Sequence, residues 1–159
     1  MGKKKLDRLK KNIVNKNLNL ALNWLTKSGI QNNNKNKSIE FGAYNAWYDY
    51  KSKKYSYMYS EITGYLITSM LYHYKITKKK IFLKSAKNAA DWLIRNAQDV
   101  NGGFKCLFLI NKKLSYAKKQ NYIYSFDNGV IINGLVNLYN ITKTQKYLKA
   151  AEKSANFLN

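Results

Sequence analysis

The chain has 159 residues, 45% hydrophobic and 14% aromatic, enough for one packed domain, and its 29 basic against eight acidic residues give a net charge of +21 that invites anionic partners. One cysteine, Cys106, and one histidine, His73, exclude an internal disulfide and are too few soft ligands for a zinc site, so no metal or cofactor is expected. No stretch approaches the ~18 apolar residues of a membrane span, and the Met1-Gly-Lys-Lys-Lys5 start lacks the apolar region of a signal peptide, so a soluble cytoplasmic protein is expected.

In chain order, Leu20-Ala-Leu-Asn-Trp24-Leu25 matches Ala89-Ala-Asp-Trp92-Leu93 and Ser154-Ala-Asn-Phe157-Leu158, so residues 13–31 read as a helix, the second half of a hairpin. Asn32–Lys37 reads as a polar surface loop. From Gly42 to Tyr59 the loop is aromatic. There Tyr55, Tyr57 and Tyr59 alternate with Ser56 and Met58 after the Lys51-Ser-Lys-Lys54 turn, which predicts a short β-hairpin. A helix follows Ser60, a candidate cap, with Ile62, Tyr65, Leu66, Ser69, Met70 and His73 at helical spacing. After the turn Lys75-Ile-Thr-Lys78, a second helix carries Phe82, Leu83, Ala86, Ala89, Ala90 and Leu93 in phase. The loop from Gly102-Gly-Phe104 to Tyr124 is again aromatic, with Phe108, Tyr116 and Tyr122.

From Tyr124 the pattern starts over. Tyr59–Leu93 recurs as Tyr124–Leu158, shifted by 65 positions, with Ser60/Ser125, Gly64/Gly129, Ile67/Ile132 and Thr77/Thr142 identical. Such self-similarity predicts an all-α fold of tandem helical hairpins that bury their apolar faces against their neighbours. The repeat units span about 59–93 and 124–158, with a partial unit at about 13–31, in a single domain covering residues 1–159. Trp24, Trp92 and Phe157 are expected to share one buried position. The last hairpin is expected to leave an apolar edge near Val130, Leu135, Leu138 and Leu148 uncovered, which favours self-association.

Acidic residues are scarce, which makes their placement informative. Glu61 and Asp127 both fall in the opening turn of the first helix of a repeat, so side-by-side packing brings them to one end of the assembly. Adjacent helices lie ~8–10 Å apart, and carboxyls ~6.5–9.5 Å apart suit inverting glycoside hydrolysis. On that reading Glu61 is the general acid and Asp127 the general base. The alternative is that each carboxylate only complements the positive end of its helix. Tyr44, Trp47, Tyr57, Tyr59, Phe104 and Tyr124 in the loops offer flat faces for sugar rings or fill the space between helices, and Asp49 and Asn128 could bond sugar hydroxyls. Nucleic acid ranks below carbohydrate as a partner, because Arg8 and Arg95 are the only arginines and bidentate phosphate or guanine contacts favour arginine over lysine.

Gly42-Ala-Tyr-Asn-Ala-Trp-Tyr-Asp49, Tyr59-Ser-Glu-Ile-Thr-Gly64-Tyr-Leu66, Trp92-Leu93 followed by Gly102-Gly-Phe104, and Ser125-Phe-Asp-Asn-Gly129 together resemble the α/α-toroid proteins of the six-hairpin glycosidase type, particularly those of polysaccharide metabolism. The resemblance runs from about Leu20 to the C-terminus. It implies helical hairpins around a carbohydrate-binding funnel, with Glu61 and Asp127 as the acids at its mouth and Tyr44, Trp47 and Tyr59 as sugar contacts. A closed toroid needs five to seven hairpins and this chain has two and a half, so an incomplete α/α toroid is expected: an open arc, a fragment of a longer enzyme, or one part of a ring. A non-catalytic arc that binds a glycan or a protein is the alternative function.

Overall fold

The computed structural model describes residues 3–34, 36, 39–109, 119 and 121–159, with the side chains of 3–11 left out. Tyr116 and part of the Asn32–Lys37 loop lie outside these residues. The chain is all-α with short antiparallel β pairs. Helix α1 spans Lys3–Lys27, α2 Ser60–Thr77, α3 Lys80–Trp92, α4 Ser125–Thr142 and α5 Gln145–Leu158. Thus α2–α3 and α4–α5 are the two hairpins that the 65-residue repeat predicts.

The turns between paired helices show why the motif Ile-Thr-Lys recurs. Thr77 Oγ1 donates to the His73 carbonyl and accepts the Lys79 N–H, and Thr142 Oγ1 does the same with Leu138 and Thr144. Lys78 and Lys143 then close the helices in the left-handed region, at φ 58° and 55°, their N–H groups bonded to the Tyr74 and Tyr139 carbonyls. The expected serine caps are absent. Tyr59 and Tyr124 occupy the N-cap positions without side-chain cap bonds, and Ser60 Oγ instead donates to the Lys105 carbonyl at 2.6 Å.

Helices α2 and α4 lie side by side and parallel. A Cβ on Gly64 would fall 2.8 Å from Ile131 Cγ1 and 3.2 Å from Ile131 Cα, and one on Gly134, three residues on, would fall 3.0 Å from the Gly64 carbonyl oxygen and 3.3 Å from Cβ of Ile67, also three residues on. Both contact positions advance together along the two helices, which fixes the parallel sense. It also places the first turn of α2, with Ser60 and Glu61, beside Asp127 and Asn128 of α4. Helices α3 and α5 back this pair, and the core between them holds Ile67, Met70, Ala86, Trp92, Leu93, Ile131, Leu135 and Leu138.

Each loop is clamped onto the second helix of its own hairpin by the same device. Gln31 Nε2 donates to the Gly42 and Ser85 carbonyls, and Gln98 Nε2 to those of Gly102 and Ala150. Gly42 and Gly102 both sit at φ +102°, with room for no side chain: a Cβ would meet the Asn88 oxygen at 2.1 Å or the Lys153 oxygen at 2.4 Å. Beyond the first clamp, β1 (Tyr48–Asp49) pairs with β2 (Lys54–Tyr55), the hairpin expected around the Lys51–Lys54 turn. Strand β3 (Met58–Tyr59) pairs with β4 (Leu107–Phe108) of the next loop and ties the two units together.

The expectation of one shared buried position fails. Trp92 is fully buried, whereas Trp24 is 45% and Phe157 36% exposed. The reason is local: the Trp92 indole donates to the Ile39 carbonyl and meets Phe108 edge-on, partners drawn from loops on both sides. The uncovered edge is also misplaced in part, since Leu135 and Leu138 belong to the core. Truncating Trp92 to Ala should cost about 3–5 kcal/mol in urea unfolding, and Trp24→Ala under about 1 kcal/mol. Gly64→Ala should cost about 1–3 kcal/mol by overpacking against Ile131.

Candidate functional site

The parallel packing of α2 and α4 brings the loops before them to one end of the molecule. There Glu61 is half-buried in the first turn of α2, and Asp127, in the first turn of α4, is only 3% exposed. Asp127 Oδ2 is buried with no hydrogen-bond partner among the described residues. Burial pushes the Asp127 carboxyl up to about 6, and the nearby Glu61 charge adds to the shift. The same two acids act on Tyr59, whose hydroxyl is raised well above its usual value, first by burial and then by the charges of Asp127 and Glu61. Cys106, pushed to about 11 by burial and then by Asp127, completes the group, and its Sγ donates to the Lys119 carbonyl.

An aromatic ladder leads from this acidic pair to the surface. Tyr59 meets Tyr57 edge-on with ring centres 6.1 Å apart, and Tyr57 meets Trp47 edge-on at 5.0 Å. Trp47 is exposed at the end of the ladder. On the α4 side Tyr122 and Tyr124 form a similar edge-to-face pair at 6.1 Å, both exposed. The site thus has a carboxyl pair at its base and aromatic faces along both sides.

Other sequence candidates stand elsewhere. Tyr44 is fully buried, its hydroxyl 2.7 Å from Ser85 Oγ and pushed up to about 12 by burial. Phe104 is its counterpart in the second loop and is equally buried. Asn128 is buried beneath Phe104: its Oδ1 accepts the Phe104 N–H and the Ser154 hydroxyl, and its Nδ2 donates to the Tyr124 and Phe104 carbonyls. These three side chains knit each loop to its helices and present no face to a ligand. Asp49 is exposed in the β1–β2 turn, where Ser52 Oγ and the Lys51 N–H hold its carboxylate below its usual range. Cys106, the residue that sequence reading missed, has no local signal, because the β3–β4 pairing brings it to the site from 45 residues beyond Glu61.

A separate cavity of 270 Å³ lies between the end of α1, the Gln31–Gly42 loop and α3, lined in part by Thr26, Phe41, Lys84 and Asn88. It borders neither Glu61 nor Asp127. Among the described residues no cluster of three metal-binding side chains occurs, and no helix is long and apolar enough to cross a membrane.

The fold is similar to part of a solved polysaccharide lyase, with a TM-score of 0.59 and 17% sequence identity over 80% of this chain. The chain spans 19% of that protein's length, and likeness at this identity speaks for the fold alone. No protein-family model and no curated protein matches the chain in sequence.

The raised carboxyl makes stability depend on pH with a definite sign. Below the ordinary carboxyl value of 3.8 both folded and unfolded chains hold the Asp127 proton. Between there and about 6 the unfolded chain releases it first, so folding loses at most about 3 kcal/mol across that window and nothing further above it. The melting temperature of the wild type should therefore fall relative to that of Asp127→Asn between about pH 4 and pH 6.5, by calorimetry. Parallel pH profiles for the two proteins would show that Asp127 titrates normally.

Proposed function

We propose that this chain is a carbohydrate-active protein whose site is the end of the α2–α4 pair, and that it takes an acidic polysaccharide. The carboxyl pair carries the reading: two acids on the adjoining first turns of parallel helices, one of them raised to about 6, beneath aromatic side chains that offer flat faces to sugar rings. With its carboxyl raised to about 6, Asp127 keeps its proton to higher pH than an ordinary carboxyl, which makes it the proton donor to the glycosidic oxygen and reverses the roles expected from the sequence. Glu61, nearer the surface, is the carboxylate that receives a proton from water or from the sugar. Trp47, Tyr57 and Tyr124 stack on the chain of sugars, and the +21 charge draws an anionic polymer to them.

The lyase likeness and the positive charge together support elimination on a uronic-acid polymer as the second reaction class. Tyr59 is a poor base for it, since burial and two neighbouring carboxylates oppose its ionisation. Asp127 in its ionised form is the better one.

Uronic-acid oligosaccharides titrated into the chain should quench tryptophan fluorescence, and Trp47→Ala should weaken binding at least about tenfold, or ~1.4 kcal/mol. Turnover should fall at least about a hundredfold in Asp127→Asn and Glu61→Gln, with binding kept. Product analysis separates the two reactions: elimination leaves an unsaturated, ultraviolet-absorbing sugar end, and hydrolysis leaves two saturated ends. No binding to any member of a broad glycan panel would overturn the proposal.

A further inference from the structure

The two carboxyls are flanked in sequence by buried polar residues that reach one and the same short segment of chain. Ser60 precedes Glu61 and Asn128 follows Asp127, and both are fully buried. Ser60 Oγ donates to the Lys105 carbonyl at 2.6 Å, and its N–H donates to the Cys106 carbonyl at 2.8 Å. Asn128 Oδ1 accepts the Phe104 N–H at 2.7 Å, and its Nδ2 donates to the Phe104 carbonyl. The segment Phe104–Cys106 is therefore a strut between the first turns of α4 and α2, bonded at each end to the neighbour of one acid.

The strut carries Cys106 to the acids: its thiol is 1% exposed and close enough to Asp127 for that carboxylate's charge to raise it. The next residue, Leu107, is buried against Tyr57 and Tyr59. A serine that opens a helix ordinarily bonds to the helix's own N–H groups. Ser60 is turned the other way, with its hydroxyl donated to the backbone of the second loop, so it holds that loop and does not cap α2. Ser125, at the same place on α4 and only two residues from Asp127, is exposed.

We propose that Ser60 is the positioning residue of the carboxyl pair: its hydroxyl holds the Phe104–Cys106 strut across the gap between α2 and α4, which closes Asp127 off from water and keeps Glu61 beside it. The proposal rests on the reading of this end of the molecule as the site, and it concerns the acids themselves, not the sugar. Among the described residues the titratable groups facing Asp127 are Glu61 and Tyr59 from the α2 side, Cys106 from the strut and Tyr124 from the start of α4. Ser60→Ala alters none of them. Without the hydroxyl the strut loosens, water reaches Asp127 and Glu61 draws away. Both changes lower the carboxyl, because burial is the first cause of its rise and the charge of Glu61 the second.

The test is the titration of Asp127 in the free full chain, followed by the carbon-13 shift of its carboxyl and assigned with Asp127→Asn. The wild-type midpoint of about 6 should fall by at least about half a pH unit in Ser60→Ala. Ser125→Ala, much nearer to Asp127 in sequence, should leave the midpoint in place. So should Thr77→Ala, which loosens the far end of α2 by removing the bonds to His73 and Lys79. If Ser60→Ala melts too low to titrate, Ser60→Cys under reductant takes its place, because a thiol keeps the bulk and donates only weakly. A midpoint unmoved by the change at Ser60, or moved as far by either control, overturns the proposal. In turnover of a uronic-acid polymer, the alkaline limb of the pH profile should move down by the same amount as the midpoint. A chain that binds no glycan, yet whose midpoint falls in Ser60→Ala, sinks the carbohydrate reading and leaves the role of Ser60 standing.

Discussion

The close approach of α2 and α4 at Gly64 and Gly134 is the constraint on which the rest of the molecule depends. With backbone rather than side chain at these two points, Ile131 and Ile67 reach across and lock the helices in one register. A larger residue at either place would push the helices apart and let the register slip. Register in turn decides chemistry, because it sets Asp127 beside the first turn of α2 and buries it there. The outer helices α3 and α5 hold the inner helices in place by packing Ala86 and Trp92, and Tyr147 and Ala151, into one core with Ile67, Leu135 and Leu138.

Asp127 shows how little a protein's total charge says about a buried group. The chain carries a net charge of +21, which would stabilise any carboxylate it could reach. Surface lysines act through solvent, however, and lose their influence within about 8–10 Å. What acts on Asp127 is the loss of water and then the charge of Glu61, opposed only by a backbone hydrogen bond and by no cation, so its proton is held.

The hairpins were legible in the sequence because a 65-residue repeat survives as identities at the turns and at the helix contacts, such as Ile76-Thr-Lys78 and Gly64. Environments were less legible, since equivalent residues share surroundings only when they also share neighbours: Trp92 has a loop on each side and is buried, and Phe157 is partly exposed. The aromatic loops misled in a second way. Tyr44 and Phe104 follow a glycine at φ +102° that lets the chain dive onto the outer helix, so they point inward, while Trp47 and Tyr124 stay at the surface. Composition gives no hint of which aromatic does which. Asn128 was hidden likewise, for its four hydrogen bonds to loop and helix arise only once Phe104 lies over it.

The pairing of β3 with β4 has a consequence for how the chain folds. Residues 58–59 close the first unit's end of the site, but their strand partner is 107–108, beyond the whole of α2 and α3. The first hairpin can form its helices early from local contacts, yet the start of α2 stays unanchored until the second loop arrives to bond Tyr59 and Ser60. A long chain closure is thus inserted into an otherwise local folding route. The two units then gain their final order together, in one cooperative step rather than one after the other.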